Sequence, residues 1–254
     1  MKRTAWIVAW CGTGVVLASA VAAVAGGFGT RYGVWDYRMG FTIVRWAAYI
    51  AAGAGVVAVI GLVLAVLQRA SQPAVIGLVG AVVSLAVLWP AWSAQRSTSL
   101  VPRIHDITTD TENPPAFVAI VPLRKGAPNA AEYDGPKTAA AQKAAYSDIK
   151  PLQMSMPPAQ AFDRALSAAR DMGWEIVAAE PAQGRIEATD RTFWFGFKDD
   201  VVIRVAAADG GSRIDVRSKS RVGASDRGMN AKRVRVYMHK LSQAATDVKI
   251  AVRP

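Results

Sequence analysis

Between Arg217 and Asn230 the chain sets arginine, serine, aspartate and asparagine around two glycines, in the stretch RSKSRVGASDRGMN. The residues before the first glycine alternate as a strand does. Ile214, Val216, Ser218 and Ser220 fall on one face, and Arg213, Asp215, Arg217, Lys219 and Arg221 on the other. Gly223 and Gly228 then bracket a turn carrying Ser225, Asp226 and Asn230, three side-chain types that cap helix N-termini. A strand, a glycine turn and a helix start flanked by arginines suit an anion. Free helix N–H groups attract negative charge, and a guanidinium fork pairs two oxygens at once. Arg217, Arg221, Ser225, Asp226, Asn230 and Arg233 are therefore the candidate anion-binding residues. The competing reading is a solvated basic strand face with a capped helix, in which Asp226 neutralises an arginine and the cluster satisfies itself.

Other chemistry is less well supported by spacing. His105, Asp106, Asp110 and Glu112 could be offered to a metal, but they match no calcium loop and no zinc motif. Neither a metal site nor a cofactor is expected. Asp199 and Asp200 are strand neighbours, so they point to opposite faces and form no acid–base dyad. His239 falls on a basic helix, where a surface role is expected. Ser218, Ser220 and Ser225 lack the G-x-S-x-G elbow of a serine hydrolase. The segment Gly223 to Gly228 (GASDRG) is neither a phosphate loop nor a dinucleotide fingerprint. Phe193, Trp194, Phe195 and Phe197 read as packing rings rather than a ligand cage.

The elements that must position these residues begin after Arg96. Arg96 to Pro136 reads as mostly extended, interrupted by a Pro-Pro pair at Pro114 and Pro115. Lys137 to Tyr146 is alanine-rich and helical, and Ile149 to Met156 reads as a strand. Pro157 and Pro158 open a helix whose apolar stripe is Phe162, Ala165, Leu166, Ala169 and Met172, closed by Gly173. Four strands follow as an antiparallel meander: Trp174 to Ala179, Gly184 to Thr192, Asp200 to Ala207 and Arg213 to Arg221. Asp209-Gly210-Gly211 supplies the last hairpin turn. A final helix from Ala231 to about Val248 buries Val234, Met238, Leu241, Ala245 and Val248. This order predicts an α+β domain of helix-grip type, an antiparallel sheet with helices on one face.

Residues 1–98 have a different composition. Apolar runs at Ala5–Phe28, Trp46–Leu67 and Ala74–Trp92 are each near the roughly 20 residues that cross a bilayer as a helix. An integral membrane region over 1–98 and a soluble domain over 99–254 are expected. Lys2, Arg3 and the small residues closing the first run also resemble a secretory signal, so cleavage there is the alternative to an uncleaved span. Ala51, Gly55, Gly77, Gly80 and Ser84 would let helices approach closely. No ionisable residue lies deep within a span, which argues against an ion pathway.

The net charge of +11 is spread over both parts, with seven basic residues against one acid in 1–98 and 23 against 18 in the rest. Beside a bilayer, such a balance points to anionic head groups or a membrane-protein partner, and no recognition module supports nucleic acid. Cys11 is the only cysteine, so no internal disulfide can form. Lys2, Arg3 and Arg69 favour an inside N-terminus while Arg31, Arg38 and Arg45 oppose it. The signal-like start tips the expectation to N-in. Three spans then leave the C-terminal domain in the periplasm of a bacterial inner-membrane protein.

The blocks IHDITTDTENPPAF, DMGWEIVAAEPAQGRIEATDRTFWFGFKDDVVIRV and SRIDVRSKSRVGASDRGMNAKRVRVYMHKL resemble, in that order, the domain-of-unknown-function family 1499 of bacteria and plastids. The resemblance runs from about Ile104 to Leu241, and the front half resembles the longer, membrane-anchored proteobacterial members. It implies a membrane-associated or exported domain, with no reaction and no catalytic residues to carry over. Two function classes remain open. One is a non-enzymatic envelope protein binding an anionic lipid or a membrane-protein partner. The other is an envelope hydrolase using His105 with Asp106 or Asp110, which a cleft holding His105 and Asp226 would favour.

Overall fold

The structure, a computed structural model, describes residues 2–251. It divides into two compact units: Met1–Ser99 with Thr192–Gly196, and Leu100–Arg191 with Phe197–Pro254.

The first unit contains three helices, α1 (Lys2–Arg31), α2 (Tyr37–Leu67) and α3 (Ser71–Leu100). All are long and apolar enough to cross a membrane, over Arg3–Arg31, Tyr37–Leu67 and Ser71–Pro90. α2 begins nine residues before the expected Trp46, because Asp36 caps it, accepting the N–H of Arg38 at 2.7 Å and of Met39 at 3.0 Å. α3 likewise continues to Leu100, into residues expected to be extended.

Small side chains let the helices touch. A Cβ on Gly12 would lie 2.5 Å from the Ala58 nitrogen, so only glycine allows that approach of α1 to α2. Thr13 Oγ1 donates to the Ile76 carbonyl and Ser84 Oγ to the Ala51 carbonyl, both at 2.8 Å, pinning α3 to its neighbours. Ala51, Gly55, Gly77, Gly80 and Ser84 are all buried, as their spacing suggested. Within the same unit the Trp194 indole lies against Gly27 and donates to the Val24 carbonyl at 3.2 Å, while the Phe195 ring packs 4.8 Å from that of Phe41.

The second unit is an antiparallel sheet. Its strands are β1 (Asp106–Thr108), β2 (Leu152–Met154), β3 (Glu175–Glu180), β4 (Arg185–Arg191), β5 (Lys198–Ala208) and β6 (Gly211–Ser220). The order is β1-β6-β5-β4-β3, and β2 lies on the same edge of β6 as β1, opposite residues 212–214. The helices α4 (Pro136–Ala145), α5 (Pro158–Asp171) and α6 (Met229–Ala251) complete the unit.

One face of the sheet meets α5 and α6 over an apolar core. Trp174, Ile186, Ile203, Ile214 and Val216 lie in it with Phe162, and Leu166 packs against its margin. Tyr237, which the α6 stripe had not included, is fully buried there, stacked 5.1 Å from Trp174 and donating to the Ala165 carbonyl. Val234 and Leu241 are buried as expected, whereas the side chains of Ala245 and Val248 lie outside the described residues.

The other face is not solvated. Residues 109–135 cross it as a strap, regular only in a 3-10 turn at Val121–Arg124. Phe117 and Ile120 of the strap bury Val202 beneath them. The expectation of helices on one face is met, and the second cover is the addition.

Candidate functional site

Strand alternation places Glu187, Asp200, Asp215, Arg217 and Lys219 on the face beneath the strap, where all five are buried. Each is held by a partner. Glu187 accepts the N–H groups of Val118, Ala119 and Ile120 at 2.9–3.1 Å and stands 2.9 Å from Arg185. Asp200 receives Arg124 at 2.6 Å, both arms of Arg221 at 2.8 Å and the Thr189 hydroxyl at 2.7 Å. Asp106 of β1 takes a two-pronged bond from Arg217, both arms at 2.8 Å, with Lys219 3.3 Å away. Charges withdrawn from water this completely persist only when paired and hydrogen-bonded, and here they are.

This corrects the reading of Arg213 to Arg221 as a solvated basic face. The strap and β1 bring Asp106, Asp110 and Asp134 over the strand, each about a hundred residues away in sequence, and the basic side chains turn inward to meet them. Lys219 Nζ donates to Asp134 at 2.6 Å and to the Glu132 carbonyl at 2.5 Å. Arg213 and Arg204 share Asp110 and Asp215.

The six candidate anion-binding residues divide between the two faces. Arg217 and Arg221 lie under the strap, committed to Asp106 and Asp200. Arg233 and Asn230 lie on the helix side, where Arg233 bonds Asp190 and Asp199 and Asn230 bonds Ser218 and Ser220. Asp226 accepts the N–H groups of Gly228 and Asn230, at 2.9 and 2.6 Å, and so caps α6. Ser225 accepts the Arg227 N–H at 3.3 Å. Burial pushes the Asp226 carboxyl above its ordinary range, against the pull of those two N–H groups. Asp199 and Asp200 do face opposite ways, as strand neighbours must.

His105 stands 3.2 Å from Asp134, while Asp106 and Asp110 serve arginines. A cleft of about 460 Å³ opens beside the strap, lined by residues that include Glu112, Tyr133 and Lys143, and neither His105 nor Asp226 is among them. Burial, with Asp106 adding to it, pushes the Tyr133 hydroxyl up to about 12, and that hydroxyl is buried without a hydrogen-bond partner. Among the described residues no cluster of His, Cys, Asp and Glu could hold a metal. His239 is exposed on α6.

A further set of basic residues lies toward the end of the sheet where β4 finishes and β5 begins. There the Arg221 N–H bonds the Lys198 carbonyl, Arg221 Nη1 bonds the Leu123 carbonyl, and the Asp226 N–H bonds the Ile104 carbonyl. Arg103, Lys125, Lys198 and Arg227 stand next to or near these points and are all exposed. The carboxylates nearby are already engaged by Arg124, Arg221, Arg233 or the α6 backbone.

A family model described as "Protein of unknown function (DUF1499)" matches residues 106–241. The chain belongs to this family. The DUF1499 match opens on Asp106 in β1 and closes on Leu241 in α6, so it takes in the strap, the buried charges and both covers of the sheet. No curated protein matches the chain.

The strap's role was not readable from local pattern. Glu187, Arg124 and Asp134 carry no local signal, since their partners are far away in sequence. The one available signal was the number of carboxylates on the strand faces and the polar segment together, nearly enough to neutralise the arginines.

Proposed function

We propose that this DUF1499 protein is a non-enzymatic bacterial inner-membrane protein whose C-terminal domain lies in the periplasm and rests on anionic lipid head groups. The observation that carries the reading is the set Arg103, Lys125, Lys198 and Arg227: exposed, near one another in the backbone, and without an acidic partner among the described residues. It keeps the turn of the expected Arg217–Asn230 stretch as part of the site but moves its charge to Arg227. The arginines of the strand are consumed in the fold, while a cation left at the surface is worth about 1 kcal/mol beside an anionic leaflet. Leu100, where the second unit begins, is the last residue of α3, so Arg103 lies three residues beyond that helix.

The hydrolase reading has a specific observation of its own, the His105–Asp134 pair at 3.2 Å. The cleft beside the strap, however, is lined by residues other than this pair.

The test uses the full chain in neutral detergent. Native mass spectrometry compares retained phosphatidylglycerol with phosphatidylcholine. The wild type should keep the anionic lipid selectively, less so at high salt, and Arg103→Glu, Lys125→Glu, Lys198→Glu and Arg227→Glu combined should lose that selectivity with folding intact. Unchanged selectivity in the quadruple variant overturns the reading. A reporter fused after Pro254 should be active on the periplasmic side.

A further inference from the structure

The edge of the sheet formed by β3 is open. β1 and β2 share one outer position, and β3 holds the other, paired only with β4. Among the described residues, the main-chain groups of Ile176 to Ala179 that do not face β4 bond to nothing else. An edge of this kind is a template for another strand.

Its chemistry is specific. The strand reads Glu-Ile-Val-Ala-Ala-Glu, small and apolar between two exposed carboxylates, Glu175 and Glu180. Neither carboxylate has an ion-pair partner among the described residues. Arg185, opposite Glu180 on β4, is occupied by Glu187 at 2.9 Å. The register adds a spacing. A bulge between Ile176 and Ala178 lets Glu175 and Glu180, five apart on β3, stand opposite Thr189 and Arg185, four apart on β4. Both carboxylates therefore point to the same face of the sheet, which a regular strand would not allow. A strand added on the free side meets them with residues four apart on its own same face.

We propose that β3 is a docking edge for an extended peptide segment of a partner protein that carries Lys or Arg at two positions four apart, with small apolar residues between them. Main-chain bonds to β3 supply the attachment, and the carboxylate pair selects the partner and its register. A second copy of this chain is disfavoured as the occupant. Antiparallel pairing of two β3 strands would set Glu175 against Glu180 of the other copy, and like charges directly opposite repel. The bulge and the charged ends thus guard against self-association while leaving the edge usable by a basic strand.

The probe is the labelled peptide Lys-Ile-Ala-Val-Arg with capped ends, a pattern that occurs in this chain at residues 249–253. It is titrated into the full chain in neutral detergent and read by fluorescence anisotropy. Binding should be saturable and at least tenfold weaker for Glu-Ile-Ala-Val-Glu. The exposed double variant Glu175→Lys with Glu180→Lys should reverse that preference, with an unchanged circular dichroism spectrum. A peptide N-methylated at its backbone should not bind. Equal binding of the N-methylated peptide would show attraction without strand pairing, and the proposal fails. It also fails if no peptide binds, or if the protein dimerises through β3 with the peptide unable to compete. The anionic-lipid reading concerns other residues, so either result leaves it standing.

Discussion

The two faces of the sheet are buried by opposite means. Beneath α5 and α6 the strands present Ile186, Ile203, Ile214 and Val216, and apolar contact seals them. Beneath the strap the same strands present Glu187, Asp200, Asp215, Arg217 and Lys219, and among the described residues the buried apolar cluster there is just Phe117, Ile120 and Val202. The first kind of cover is tolerant, because side chains of similar volume can replace one another. The second is not, since every buried charge must keep its particular partner. The strap has almost no regular structure of its own, so its placement depends on those partners.

The largest effect expected follows from that dependence. Arg217→Ala removes the two-pronged bond to Asp106, a residue with no exposure at all, and also frees the Pro115 and Ala131 carbonyls. Leaving a buried carboxylate short of its partner costs about 3–5 kcal/mol. Hydrogen-exchange mass spectrometry on the detergent-solubilised chain should show the strap losing protection first. If protection of residues 109–135 is unchanged, the strap is held by its apolar contacts, and the contrast between the faces collapses.

On the other face, Ile203→Ala empties a fully buried aliphatic site among Ile186, Val216 and Phe162. The loss is expected at about 2–5 kcal/mol. It should appear as uniform loss of protection across β4, β5 and β6, because this core is shared by all three. Ile203→Val should recover most of it. Arg217→Lys, by contrast, should recover little, since an ammonium cannot reproduce a planar fork.

This asymmetry also explains what could be read from the chain in advance. The helix-covered face was legible: period-two alternation in Ile186 and Ile203 and the 3.6-residue stripe of Phe162 and Leu166 are local signals, and they name a common core. The four-strand meander followed from the same alternation and from Gly210 and Gly211. The strap face was not legible, because a strand alternating Arg, Asp, Arg, Lys, Arg looks identical whether water or a distant carboxylate solvates it. β1 has three residues and no period to detect. The start of α2 is hidden for another reason: the continuous apolar run begins only at Trp46, although Asp36 is a sound cap upstream of it.

The charged face should also respond to acid. Burial raises the Asp110 carboxyl, but the N–H groups of Asn113 and Glu112, with Arg213 and Arg204, outweigh it and hold the group below its usual range. A lowered folded value means its stabilising contribution is present above the unfolded carboxylate range, near 3.9, and is lost as pH falls through the folded value. Asp226 runs the other way, its raised folded value favouring the folded state at low pH and losing that contribution as pH rises through it. Asp110→Asn should therefore flatten the acid limb of strap protection without moving the core. A limb of unchanged steepness would place the acid response elsewhere.

The smallest effect tests whether burial, and not pairing as such, separates the regions. Lys143 and Glu112 form an ion pair at the rim of the cleft, with side chains 59% and 81% exposed, whereas Arg217 and Asp106 are 2% and 0% exposed. At the rim both ions stay hydrated when the partner is removed, and the attraction is screened and offset by side-chain ordering, so such pairs are worth about 0–1 kcal/mol. Lys143→Met should leave strap protection within that range, and salt should reduce even the small difference. Lys143 extends from α4, whose Gln142 is buried and exchanges two bonds with the backbone of Thr108, at 3.0 and 2.6 Å. α4 is thus anchored to β1 independently of the rim pair. If Lys143→Met nonetheless released the strap as fully as Arg217→Ala, the strap would be fastened from its exposed margin, and the buried ions would be passengers of that closure.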